Sequence, residues 1–153
     1  MKRLPTLLPA LFLSLALLPA ACDKTPENGL LDGMWQLTEQ TPAATGQAVD
    51  KKPAGCYWSF QLNMMQIHTI HDPHNGVTFN TTGLFTRRAD SLHFERLAVH
   101  RYNSDSIITD PASTTLDTVG IHGNRGDFFI EALTHSKLVL RSDFNRLVFR
   151  KIG

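Results

Sequence analysis

The chain has 153 residues with 15 basic and 14 acidic side chains, a near-neutral balance without the basic clustering that a nucleic-acid partner requires. With 42% hydrophobic residues it is long enough to close one core and gives no reason to expect a second domain.

Met1-Lys2-Arg3 opens the chain, an apolar run follows from Leu4 to Leu18, and Pro19-Ala20-Ala21-Cys22 closes the segment. Two positive charges, an apolar stretch too short and proline-broken for a membrane-spanning helix, and small residues at its end read as an export signal over residues 1–21. Cysteine directly after Ala20-Ala21 resembles the bacterial lipobox, although Pro19 stands where leucine is usual. That resemblance implies lipidation at Cys22, a membrane partner reached through the lipid, and a place in the cell envelope, expected at the outer membrane more than the inner, which stays open because Asp23 after the cysteine resembles an inner-membrane retention signal of some bacteria. The acyl chains would supply the hold, since each buried methylene contributes about 0.8 kcal/mol. An ordinary signal cut near Ala21 is the other reading, and it leaves Cys22 free or bridged to Cys56. If Cys22 is acylated, Cys56 has no partner in the chain and reads as a packed apolar thiol rather than a nucleophile. Without Lys2 and Arg3, 13 basic side chains face 14 acidic ones.

Residues 22–32 hold proline, asparagine, glycine and charge, the composition of a tether, and the folded domain is expected over residues 33–153. Gly33 to Glu39 alternates in strand fashion, with Trp35 and Leu37 on one face. Thr41 to Gly55 carries two prolines and two glycines, which makes a loop longer than a hairpin turn. Tyr57 to Met64 then alternates, placing Trp58, Phe60, Leu62 and Met64 together on one side. His71-Asp72-Pro73-His74-Asn75-Gly76 is a turn cluster ending in a dipeptide that tolerates positive φ.

Strands are expected from Val77 to Arg87 and from Leu92 to Val99, with Leu92, Phe94 and Arg96 on a common side. Arg101 to Gly126 is the least regular stretch, and it predicts a short strand at either end with a loop or single helical turn between. Phe128 to Leu133, Lys137 to Arg141 and Arg146 to Ile152 complete the chain as strands. Many short strands, regular turn signals and no helical period after the signal predict an all-β barrel or sandwich.

Gly33-Met34-Trp35 at the head of the first strand, with arginines at 141, 146 and 150 in the closing hairpin, resembles the lipocalins. The order of signal, acceptor cysteine, tether, Gly-x-Trp strand and final Leu-Val-Phe-Arg-Lys is similar to the small lipocalin-like domain lipoproteins of Gram-negative bacteria. The resemblance implies a single small antiparallel up-and-down barrel of about eight strands. It also implies a closed end sealed by Gly33 and Trp35, with Arg150 or Arg141 packed over the indole. No clear Thr-Asp-Tyr segment stands at mid-barrel, and no long helix is expected after the eighth strand, as in the small lipocalin-like group.

An eight-stranded barrel can be filled by side chains or can hold one small ligand, and alternation alone does not say which face is the lumen. Two functions follow. In the first, the lumen binds a small apolar ligand lined by Trp58, Phe60, Met64 and Phe128. In the second, the barrel is packed and ligand-free, an accessory or inhibitor that uses the loops at Thr41–Gly55 and Arg101–Gly126 to bind another envelope protein. His68, His71 and His74, with Asp72, have a spacing that invites a metal, but alternation sets His68 and His71 on opposite faces, so solvated loop histidines are expected. Glu131 lies inside a strand and reads as its outward residue rather than a lumen acid. No nucleophile elbow, phosphate loop or dinucleotide fingerprint occurs, so neither an enzyme nor a cofactor is expected.

Overall fold

The computed structural model describes residues 26–70, 80–101 and 103–153. Among them, ten strands form one antiparallel sheet: β1 (Gly33–Pro42), β2 (Val49–Asp50), β3 (Cys56–Gln61), β4 (Met64–Thr69), β5 (Asn80–Arg88), β6 (Ser91–Arg101), β7 (Ser104–Ile107), β8 (Gly126–Leu133), β9 (Lys137–Arg141) and β10 (Asn145–Ile152). Leaving aside β2 and β7, eight strands succeed one another around the sheet in chain order. β1 pairs with β3 on one side and β10 on the other, which closes the sheet into an up-and-down barrel and excludes the sandwich. β2 is a short addition to β1 within the long first loop, and β7 folds back onto β6.

The strands form because their apolar residues recur with period two, so pleating sends them to one face. In β3, Cys56, Trp58 and Phe60 are buried while their neighbours are not. β8 buries Gly126, Phe128 and Ile130, and β10 buries Asn145, Leu147 and Phe149. Closure of the sheet brings these faces together in one core.

Three local features differ from the sequence reading. The strand expected over Tyr57–Met64 is a hairpin: β3 stops at Gln61, Leu62 adopts φ of 55°, and β4 starts at Met64. Across that turn Phe60 pairs with Met65 and Gln61 with Met64. Met65 therefore shares the inner face with Phe60, whereas Met64 is 51% exposed and does not line the interior. Arg96, expected beside Leu92 and Phe94, takes φ of 54° at an irregularity in the pairing of β5 with β6 and is exposed. The tether expected through residue 32 ends sooner, because Gly29–Leu31 is a 3-10 turn whose Leu31 is fully buried in the core.

Candidate functional site

Trp35 stands at the end of the barrel where the chain enters. Its Nε1 donates to the Leu31 carbonyl at 2.8 Å, which holds the 3-10 turn beneath the barrel floor. Trp35 is paired with Lys151 across β1 and β10, and the Lys151 ammonium lies 4.4 Å from the indole centre. The same Nζ donates to the Leu30 carbonyl at 2.8 Å and to the Asp32 carbonyl. One cation thus attracts the ring face and pairs two backbone acceptors of the turn. Burial lowers the Lys151 pKa from its ordinary value, with Asp32 acting in the opposite sense.

The expected closing cation, Arg150, is one residue away and hence on the other face of β10; its Nε donates to Gln36 Oε1 at 2.8 Å. Arg141 lies over a different ring, 5.7 Å from the centre of Phe129. Gly33 completes the closed end. Its φ is 112°, and a Cβ there would stand 3.1 Å from Lys151 Cε, so glycine serves both the backbone and the seat of the lysine.

Trp58, Phe60 and Phe128 are buried and face inward, where their rings meet one another. The Trp58 ring centre is 5.1 Å from Phe149, 5.7 Å from Phe94, 6.0 Å from Phe128 and 6.4 Å from Phe60. Phe85 adds a sixth ring, 5.3 Å from Phe60 and edge-on to it. These spacings are those of aromatic pairs in contact. Thr81 Oγ1, buried in this interior, has no hydrogen-bond partner among the described residues, while the Trp58 indole N–H is directed toward the Cys56 thiol.

Cys56 is a buried thiol with no disulfide among the described residues. Burial pushes its pKa up to about 12, against the weaker opposing effects of the Lys51 charge and the Trp58 side chain. A thiol so held stays protonated at neutral pH and is a poor nucleophile.

The opposite end, where β1 finishes and β10 begins, is covered by the stretch between β7 and β8. Leu116, Val119 and Ile121 are buried in the core, around a 3-10 turn at Asp117–Val119. Polar residues latch it in place. Gln40 Nε2 donates to the Asp117 carbonyl at 2.9 Å and to Asn145 Oδ1 at 3.0 Å, and Asn145 Nδ2 donates to the Gly120 carbonyl at 3.1 Å. Gly120 has φ of 104°, and a Cβ there would come within 2.7 Å of the Leu147 side chain. His122 adds an outer contact, its Nδ1 2.9 Å from Asp117 Oδ1 and its ring 4.3 Å from that of Phe144.

Glu131 is outside the barrel, 2.9 Å from Arg141 Nε and 2.7 Å from Arg146 Nε. The Arg146 hydrogen bond leads the effects that hold its carboxyl below the usual range, the reverse of a lumen acid. His68 Nδ1 is paired with Asn80 Oδ1, while His71, Asp72 and His74, like Cys22, lie outside the described residues. Among the described residues no three His, Cys, Asp or Glu side chains gather as a metal site.

Sequence reasoning missed Lys151, the covering residues Leu116, Val119 and Ile121, and their latches Gln40 and Asn145. One signal for the cover was present, since Gly120 after a short polar-apolar run is a helix-stop pattern. For Lys151 the signal was the strand register, which alternation does not supply.

Residues 15–152 match the family described as the lipocalin-like domain. No curated protein matches the chain. Among solved structures, it is similar to a lipocalin-like protein from Bacteroides uniformis ATCC 8492, with a TM-score of 0.57 and 20% identity over 81% of this chain and 100% of that one. It is also similar to an uncharacterized protein from Bacteroides eggerthii DSM 20697, with a TM-score of 0.55 and 22% identity over 80% of this chain and 99% of that one. Those two likenesses are of fold, whereas the family match spans nearly the whole sequence: the chain belongs to the lipocalin-like domain family.

Proposed function

We propose that this protein is a lipid-anchored envelope lipoprotein, held at the outer membrane through Cys22, whose packed barrel serves as an accessory or inhibitor of another envelope protein. Its role is binding rather than catalysis. The observation that supports this reading is the filled interior: six rings meet at its centre, and Leu116, Val119 and Ile121 are packed into the core from the mouth. An apolar ligand entering there would first have to displace buried side chains, at about 1.5–3 kcal/mol for each one exposed. Loops at the covered end then become the contact surface, as loops on a rigid scaffold commonly do. Cross-linking in intact cells tests it. Deletion of Ala43 to Lys51 should abolish capture of a specific envelope protein while leaving the barrel folded by circular dichroism. A saturable, displaceable lipid adduct seen by native mass spectrometry, beyond the protein's own acyl chains, would overturn it.

A second reading, a small ligand in the lumen, is favoured by one observation. Thr81 Oγ1 is buried without a partner among the described residues, and such an orphaned group costs about 1–3 kcal/mol. A molecule carrying hydrogen-bonding atoms, rather than a purely apolar one, would satisfy it. Thr81→Val should weaken any such binding, measured by calorimetry, and an unchanged affinity counts against the lumen as the site.

A further inference from the structure

The closed end of the barrel carries exposed apolar side chains that the core does not use. Leu30 is 38% exposed, Met34 45%, Leu62 59% and Phe129 45%, with Met64 beside them on β4. Pro26, Met34, Phe60 and Leu62 line one open groove of about 730 Å³ there. Leu30 and Phe129 line a second, together with the charged Arg87, Asp90 and Glu131. The chain itself ties this end together: Asn28 Nδ2 donates to the Leu62 carbonyl at 2.8 Å, and Arg87 Nη1 donates to the Asn28 carbonyl at 3.0 Å. Soluble surfaces scatter single apolar residues, but several exposed together at one end of a barrel mark a contact surface.

The length of chain leading to this end identifies the occupant. Cys22 is four residues before Pro26, and four residues reach at most about 14 Å even when fully extended. A lipid on Cys22 therefore holds the closed end within that distance of the bilayer surface, whatever path the intervening residues take. The covered mouth lies a strand away, the ten residues of β1 spanning roughly 25 Å once barrel tilt is allowed for. The rim's charges are mixed: the exposed Arg87 and Arg88 stand near the exposed Glu27 and Asp90, and Asp32 and Glu131 add two carboxylates to the groove linings. Attraction to anionic lipid is consequently not the seating force.

We propose that the closed-end rim of Leu30, Met34, Leu62, Met64 and Phe129 seats on the bilayer that holds the protein's own anchor. The docking fixes the orientation of the barrel and turns the covered mouth and its loops away from the membrane. It rests on the anchoring at Cys22 and goes beyond it, since a tether alone leaves the barrel free to tumble. Apolar side chains enter the headgroup and acyl boundary, as in interfacial segments, and contact with zwitterionic lipid suffices.

The test uses the full-length lipidated protein in phosphatidylcholine vesicles doped with a headgroup-labelled nitroxide lipid. Cys56 is buried and protonated, so single fluorophores can be attached at L62C or at F144C, both exposed sites. Strong quenching at position 62, little at 144, and persistence of the difference in high salt are expected. The paired substitution Leu30→Asp with Met34→Asp, again at exposed positions, should bring quenching at 62 down toward that at 144 while the protein still floats with the vesicles. Flotation with equal quenching at both sites overturns the docking and leaves the anchor standing. Failure to float, with Cys22 unmodified by mass, overturns the anchor and the docking with it.

Discussion

Replacing Lys151 with methionine removes the ammonium over Trp35 while keeping most of the stem that covers the ring. The cation sits 4.4 Å from the indole centre and donates to two carbonyls of the 3-10 turn. Attraction to the ring is worth about 0.5–1 kcal/mol and each hydrogen bond about 0.5–1.5 kcal/mol net. Relief from burying the ammonium, the cause of its lowered pKa, offsets part of this, so the loss of stability should be about 2 kcal/mol. For a domain of this size that corresponds to a fall in Tm of roughly 6–12 °C. Arg150→Met, by contrast, removes a single hydrogen bond to Gln36 and should cost no more than about 1 kcal/mol. Urea unfolding followed by tryptophan emission and by circular dichroism measures both variants, with the coincidence of the two probes checking two-state behaviour. An Arg150→Met loss equal to or larger than that of Lys151→Met would refute the assignment of Lys151 as the closing cation.

Gly33→Ala should destabilise by about 1–3 kcal/mol through its positive φ and the approach of the new Cβ to Lys151. Combined with Lys151→Met it should cost less than the sum of the two, and strict additivity in the denaturation curves would show that the residues do not act together. Phe60→Ala opens space among the stacked rings and should cost about 3–5 kcal/mol in the same assay; a loss under 1 kcal/mol would mean that the interior is not packed around it. Cys56 should resist maleimide in the folded protein at pH 8 and react once urea unfolds the chain. Its pKa is raised on folding from 9.0 to about 12, so the unfolded state loses the proton first. Stability should therefore fall between pH 9 and 12, with a slope of up to about 1.4 kcal/mol per unit that Cys56→Ala removes. Parallel pH profiles for the wild type and Cys56→Ala would refute this.

Much of the fold was legible because alternation is strong where a strand has one buried face. β3, β8 and β10 each bury every second residue over their first five or six positions, with rings at Trp58, Phe60, Phe128 and Phe149, and turn residues separate them. The errors have a common cause in pairing. Met64 was placed with Phe60 by counting straight through Leu62 and Asn63, a turn without glycine or proline in which leucine itself takes positive φ. The resemblance points to an arginine, Arg150 or Arg141, as the closing cation, and the sequence does not show which cation near the end faces Trp35. That is set by the β1–β10 register, itself shifted at an irregularity between Leu37 and Glu39. Leu116, Val119 and Ile121 were visible only as apolar residues among glycines and polar side chains. Their place over the mouth depends on Gln40 and Asn145, which are 105 residues apart in sequence.

The pairing of β1 with β10 also governs how the molecule comes to exist. The first strand finds its second neighbour only in the last, Met34 lying opposite Ile152. That contact joins the chain's most distant parts, the kind of link that slows folding. A chain emerging from its N-terminus has no complete barrel until residue 152 is free, and until then both β1 and the growing edge present unpaired backbone that invites association. Once the seam forms, both edges vanish together. The same closure that makes assembly slow leaves each of the eight main strands paired on both sides among the described residues, and a short synthetic copy of β10 should capture the nascent chain but not the folded one.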